Sequence, residues 1–169
     1  MQPGARVAVG TCDGTGAAIN VCLGWRPSWV KVLNMEDAGT LYPAVEWFDQ
    51  QRLITVVDEG IMHEGADDSD RQFLTANGIS RYNGGDEITY DGVTNNRWEN
   101  AAGTDVEETY VDGYYQRTAT TSAAYQCIGD ALCPELRDGS KVRTPMGFTI
   151  GTNTDLNANG EQLVWIAIE

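Results

Sequence analysis

The single histidine of the chain, His63, stands in Ile61-Met62-His63-Glu64. A Ser-His-Asp or Cys-His arrangement would have to use it as its base. No Gly-x-Ser-x-Gly elbow accompanies it, and a surface or turn histidine is the expected reading. No Gly-x-x-x-x-Gly-Lys-Ser/Thr loop occurs, and no Gly-x-Gly-x-x-Gly opens a helix, so neither common phosphate cradle is present. The glycine-rich stretch from Gly10 to Gly16 joins two strand-like runs and reads as a turn. Asp155-x-Asn157-x-Asn159-Gly160 matches the first half of a calcium loop, with alternate oxygen ligands before a turn glycine. The twelfth position of that motif calls for glutamate and holds Ile166, so the full motif fails. Asp155, Asn157 and Asn159 stay a weak calcium candidate beside the simpler reading, a tight Asn-Gly turn feeding the last strand. Glu64, Asp67, Asp68 and Asp70 could offer oxygens to a hard cation, but a solvated acidic loop is the expected reading. No spacing selects a glycosidase-type acid pair. No catalytic residue, cofactor or resident metal is assigned, and the chain is not expected to be an enzyme.

The four cysteines are Cys12, Cys22, Cys127 and Cys133. Their spacing is not that of a zinc ribbon, and four cysteines allow three pairings among which sequence does not choose. Cys12 and Cys22 lie in apolar runs and are expected to be buried thiols. Cys127 and Cys133 bracket a short loop that could close into a bridge, against which a reducing cytoplasm argues. Of the five tryptophans, those in strand-like runs are expected to pack. Trp98, Tyr110, Tyr114 and Tyr115 fall in polar surroundings and are the candidate contact residues, because loop aromatics make good protein or sugar contacts.

The elements that would position these residues read as short strands. Arg6–Cys12 alternates, with Val7, Val9 and Thr11 on one face and Ala8 and Cys12 on the other. Ala17–Leu23 follows across Asp13-Gly14-Thr15-Gly16, and the two runs are expected to form a hairpin. A corner at Gly24–Ser28 leads into Trp29–Leu33, with Val30 and Val32 sharing a face. Ala44–Phe48 and Leu53–Val57 suit a second hairpin. Between them and the C-terminal part, short strands are expected at Phe73–Thr75, Ile79–Tyr82, Glu87–Tyr90 and Val106–Val111, with Ala123–Ile128 a strand or a helical turn. Phe148–Gly151 is a strand and 153–160 a polar turn. Gln162–Ile168 is apolar on both faces, which predicts a central strand buried on two sides. No long amphipathic helix and no internal repeat is visible.

The formal net charge of −14 over 169 residues excludes binding to nucleic acid through a general phosphate field, which needs Lys and Arg to displace counterions. It equally disfavours an anionic membrane, and no apolar run reaches membrane-spanning length. Residues 58–145 hold 17 acids and 7 bases, so this middle part carries most of the charge. It is expected to form a long, loop-rich acidic insertion between core strands at about 5–57 and 146–169, all within one β-rich domain spanning 1–169. No secretory signal is visible at the start, and synthesis in the cytoplasm is expected.

Leu23-Gly24-Trp25-Arg26-Pro27-Ser28-Trp29-Val30-Lys31-Val32 resembles a phrase of bacteriophage virion proteins, in which a Gly-aromatic-x-Pro corner enters a Trp-Val-x-Val strand. Gly147–Gly151, then Asn157-x-Asn159-Gly160-Glu161 to Trp165-Ile166-Ala167, resembles the close of the same modules. They occur in head-decoration and tail-fibre proteins and resemble lectin-like β-sandwiches. The resemblance covers about a third of the chain and has no counterpart over 58–145. It implies an all-β sandwich or jelly-roll-like domain in the virion. The implied role is capsid decoration, or cement, with the major capsid protein and copies of itself as partners, a homotrimer being favoured. The alternative is a tail or receptor-binding component that recognises host glycan.

Overall fold

A computed structural model describes residues 4–36, 43–49, 59–63, 71–91, 97–100, 109–111, 114–116, 124–127 and 141–169. Among these residues the chain is all-β, without a helix. Six strands form an antiparallel sheet. In spatial order they are β1 (Val7–Asp13), β15 (Gln162–Ile168), β3 (Trp29–Asn34), β4 (Ala44–Phe48), β5 (Gly60–His63) and β6 (Arg71–Leu74). A second sheet has the order β12 (Ala124–Cys127), β2 (Ile19–Cys22), β14 (Gly147–Ile150) and β7 (Ile79–Tyr82). Its pairs are antiparallel except β12 with β2, which is parallel. β13 (Lys141–Arg143), β8 (Glu87–Asp91) and β9 (Arg97–Asn100) form a separate three-stranded sheet, and β10 (Thr109–Val111) pairs with β11 (Tyr114–Gln116).

The period of two in these strands decides which side chains meet between the sheets. From the six-stranded sheet come Cys12, Val30, Val32, Val45, Trp47, Met62, Leu163, Trp165 and Ala167. From the second come Ile19, Val21, Ile79, Phe148 and Ile150, and all are buried. The ring of Phe148 meets that of Trp165 edge-on, with centroids 5.5 Å apart and planes at 75°, a favoured aromatic geometry. Trp165 fits because its neighbour across the ladder is Gly10. A Cβ there would lie 2.4 Å from Trp165 Cζ2, so the indole lies over bare backbone. At the end of β4, Asp49 accepts from Arg81 Nε of β7 at 3.0 Å and from the same guanidinium's terminal nitrogen, tying the two sheets by a charged pair.

Several sequence expectations need correction. β1 and β2 are not a hairpin. β1 pairs only with β15 among the described strands, and β2 pairs with β14 and β12 in the other sheet. Asp13–Gly16 is therefore a crossover, held because Gly14 N–H donates to Glu161 O at 2.6 Å and Gly16 N–H to Asn157 O at 3.1 Å. β15 is central, between β1 and β3, but it is covered on one side only. Leu163, Trp165 and Ala167 are buried, while Val164 is exposed and Ile166 and Ile168 are half-buried. Of the two alternatives for Ala123–Ile128 the strand is the one found, at Ala124–Cys127. Leu53–Val57 lies outside the described residues, and the described neighbours of β4 are β3 and β5. The segment 58–145 also contributes β5 and β6 to one sheet and β7 and β12 to the other.

Candidate functional site

The loop that carries Asp155, Asn157 and Asn159 is built as a latch. Asn157 is fully buried, while Asp155 and Asn159 are exposed. The Asn157 carboxamide oxygen accepts from Thr15 N–H at 2.9 Å. Its nitrogen donates to Ala17 O and to Gly151 O, each at 2.7 Å. Both of its amide hydrogens and one lone pair of its oxygen are thus engaged by backbone of the crossover and of the segment after β14. Asn153 Oδ1 accepts from Asp155 N–H at 3.0 Å and Leu156 N–H at 3.1 Å, which sets the turn. Buried Asn34 donates to Asp155 O at 3.1 Å and to Glu161. Among the described residues no group of three His, Cys, Asp or Glu stands close enough to hold a metal ion.

The other sequence candidates separate. His63 lies in β5, not in a turn, with Nε2 3.7 Å from Glu46 Oε2. Cys12 and Cys22 are free and buried. Burial, with Asp13 adding to it, pushes the Cys12 thiol up to about 12, so it is held as a packed neutral group and not as a nucleophile. Cys127 lies in β12 in register with Cys22, and Cys133 is outside the described residues. Glu64, Asp67, Asp68 and Asp70 are also outside them. Of the contact candidates only the backbone is described. Trp98 in β9 is in register with Tyr90; Tyr110 in β10 is opposite Tyr115 in β11, and Tyr114 is opposite Val111. At the end of β7, Tyr82 Oη donates to Asp86 Oδ2 at 2.9 Å and meets Thr144 Oγ1. Burial, above all, raises the phenol well above its ordinary range, and the trio ties β7 to the segment following β13.

What sequence reasoning missed is a surface. On the side of the six-stranded sheet away from the core, the register lines side chains into three rows. One row is Val7, Ile168, Trp29, Phe48. The next is Val9, Ile166, Lys31, Glu46, Ile61, Phe73. The third is Thr11, Val164, Leu33, Ala44, His63, Arg71. Apolar side chains dominate and many are open to solvent: Val7 at 59%, Val9 at 61%, Phe73 at 58% and Phe48 at 39% of their full exposure. The polar groups are concentrated in the middle and at one end. Trp29 Nε1 donates to Glu46 Oε1 at 2.7 Å, which fixes the indole and the carboxylate together, and Lys31 is directly opposite Glu46. Val7, Val9, Phe48, Phe73 and Val164 thus leave apolar side chains open on the solvent-facing side of this sheet, a feature that accompanies association surfaces in proteins generally. The signal was present in the double-faced apolar pattern of Gln162–Ile168, read there as burial on both sides. No family model matches the chain, and neither curated proteins nor solved structures give a match.

Proposed function

We propose that this protein is a structural component of a phage virion, a head-decoration or cement protein that works by burying surface against neighbouring subunits. The observation that carries the reading is the apolar outward face of the six-stranded sheet, with Val7, Val9 and Phe73 more than half exposed. An acidic chain of net charge −14 gains solubility from that charge, and an extended apolar face beside it is a feature of assembly. The two segments that resemble phage modules supply strands β3 and β15, which are ladder neighbours. This gives the resemblance a shared piece of scaffold in support of the same reading. Cementing acts by mass action: a protein that binds only the assembled shell stabilises it in proportion to its occupancy.

The test is co-sedimentation of the purified chain with phage heads stripped of accessory proteins. Saturable, stoichiometric binding that raises the temperature of shell rupture is the expected result. Absence of binding to heads would overturn the decoration role.

A second reading is favoured by one specific feature. Trp29 and Phe48 are register partners on the outward face, and Trp29 Nε1 donates to Glu46. Aromatic rings next to polar acceptors suit sugar stacking, as a tail or receptor-binding component would need. Adhesion of the purified chain to host cells, competed by free glycan, is its test.

A further inference from the structure

We infer that the outward face of the six-stranded sheet is a self-complementary interface, occupied by the same face of a second copy related by a two-fold axis. The argument starts from charge. The described face balances Lys31 and Arg71 against Glu46 and, at the end of β1, Asp13, whereas the chain as a whole has 25 acids and 11 bases. Two copies of so acidic a protein repel one another over most surfaces, and this face is where they can approach without setting acid against acid.

The register then gives the geometry. The sheet has six strands, and its centre falls between β3 and β4. A two-fold axis lying in the contact plane and running along the strands at that centre exchanges β3 with β4, β15 with β5 and β1 with β6. It sets Lys31 against the partner subunit's Glu46, and Glu46 against the partner subunit's Lys31. In the same row it sets Ile166 against the partner's Ile61 and Val9 against the partner's Phe73. Each apolar residue of that row meets an apolar one, and each charge meets its opposite. Within each copy Glu46 Oε1 accepts from Trp29 and Oε2 stands 3.7 Å from His63 Nε2, which holds the carboxylate where the partner subunit's Lys31 meets it. Two twisted sheets pack face to face at about 30°. The tilt leaves the central Lys31–Glu46 pair aligned and displaces the outer pairs by several ångströms within a continuous apolar area. An isologous contact of this type closes as a dimer.

Size sets the expected strength. Six strands about 4.8 Å apart and about five residues long at about 3.4 Å each give a footprint on the order of 450 Å² per copy. Side-chain relief adds to that, so the interface falls toward the small end of the range for specific contacts. The expectation is a reversible dimer that populates with concentration and not a permanent one. The inference does not depend on the virion reading, since it concerns the chain alone in solution.

The experiment is mass measurement by sedimentation equilibrium over a concentration series of the full chain, with paired charge variants. Lys31→Glu and Glu46→Lys each place like charges opposite one another in a dimer, so each variant alone is expected to remain monomeric. An equimolar mixture of the two restores both pairs and is expected to dimerise. Rescue by mixing is something a purely internal Lys31–Glu46 contact would not give. Val9→Lys, at a position already exposed, is expected to weaken association at least tenfold without altering the circular dichroism spectrum. Added salt screens the overall repulsion of the two copies, so wild-type dimerisation is expected to hold or strengthen from 50 to 500 mM NaCl, where an association driven mainly by opposite charges would weaken. A monomer throughout the series, a trimer, or a mixture of the charge variants that stays monomeric overturns the inference. Head binding by a chain that is monomeric in solution would leave the proposed function standing while refuting this interface.

Discussion

Replacing Asn157 tests whether its loop is a latch or an ion site. In Asn157→Ala, three backbone groups lose a partner: Thr15 N–H, Ala17 O and Gly151 O. Thr15 is 3% exposed, so its donor is left dry, at about 1–3 kcal/mol for an unsatisfied buried group. Ala17 O keeps a bond from Thr15 Oγ1 at 2.9 Å, and Gly151 is only half-buried, so these two carbonyls lose less. With a modest cavity term, the expected destabilisation is about 3 kcal/mol. Asn157→Asp is nearly isosteric and keeps the acceptor for Thr15 N–H, but it turns an oxygen toward two carbonyls. Its ionised form is disfavoured in the fold, so its folded pKa is raised above the unfolded value. The deficit is then largest at neutral pH and shrinks as pH falls through the carboxylate range. Urea titration followed by tryptophan fluorescence, read at pH 7 and pH 4, measures both effects. A loss below 0.5 kcal/mol for Asn157→Ala would refute the latch. So would a calcium-induced rise in the wild-type midpoint that disappears in that variant.

Three further outcomes are expected. Gly10→Ala puts a Cβ 2.4 Å from the Trp165 indole and should cost about 1–3 kcal/mol by overpacking, with a shift in the emission of the native state. Unchanged stability and emission would show that Trp165 moves freely. Cys12 should resist alkylation in the native protein and react on unfolding, as mass spectrometry of protected and denatured samples would show. Because its folded pKa is raised from 9.0 to about 12, its contribution to stability is full below the ordinary thiol range and declines as pH rises from 9 toward 12. Arg81→Met leaves Asp49 without its partner at the join of the sheets. Both side chains keep some solvent contact, so the loss should be about 1–2 kcal/mol in chemical denaturation, and a neutral effect would mean that the pair merely covers the sheet edge.

Strand existence was legible because alternation is a local property. Val30 and Val32 face the core as their spacing requires, and Ile19 and Val21 do the same. The polar turn before the last strand was equally clear from its asparagines and glycine. Sequence did not disclose the candidate face, because its residues come from strands scattered between Val7 and Ile168, and register alone brings them into rows. The aromatic candidates stand out in sequence by their polar neighbours, whereas Trp29 sits in a strand-like run and reads as a packing residue.

The sequence by itself determined that the chain is β-rich and strongly acidic, with a net charge of −14, and that Gln162–Ile168 is a central strand. Those conclusions rest on composition and on a period of two, which every short segment carries within itself. Only the tertiary structure decided that β1 and β2 lie in different sheets, that Asn157 is a buried latch, and that one apolar side of β15 faces outward. Periodicity separates a strand into two faces but does not say which of them another sheet will cover. That choice belongs to backbone pairing between residues more than a hundred positions apart, such as Gly10 with Trp165, and to the few side chains, such as Asn157, that satisfy backbone groups no ladder reaches.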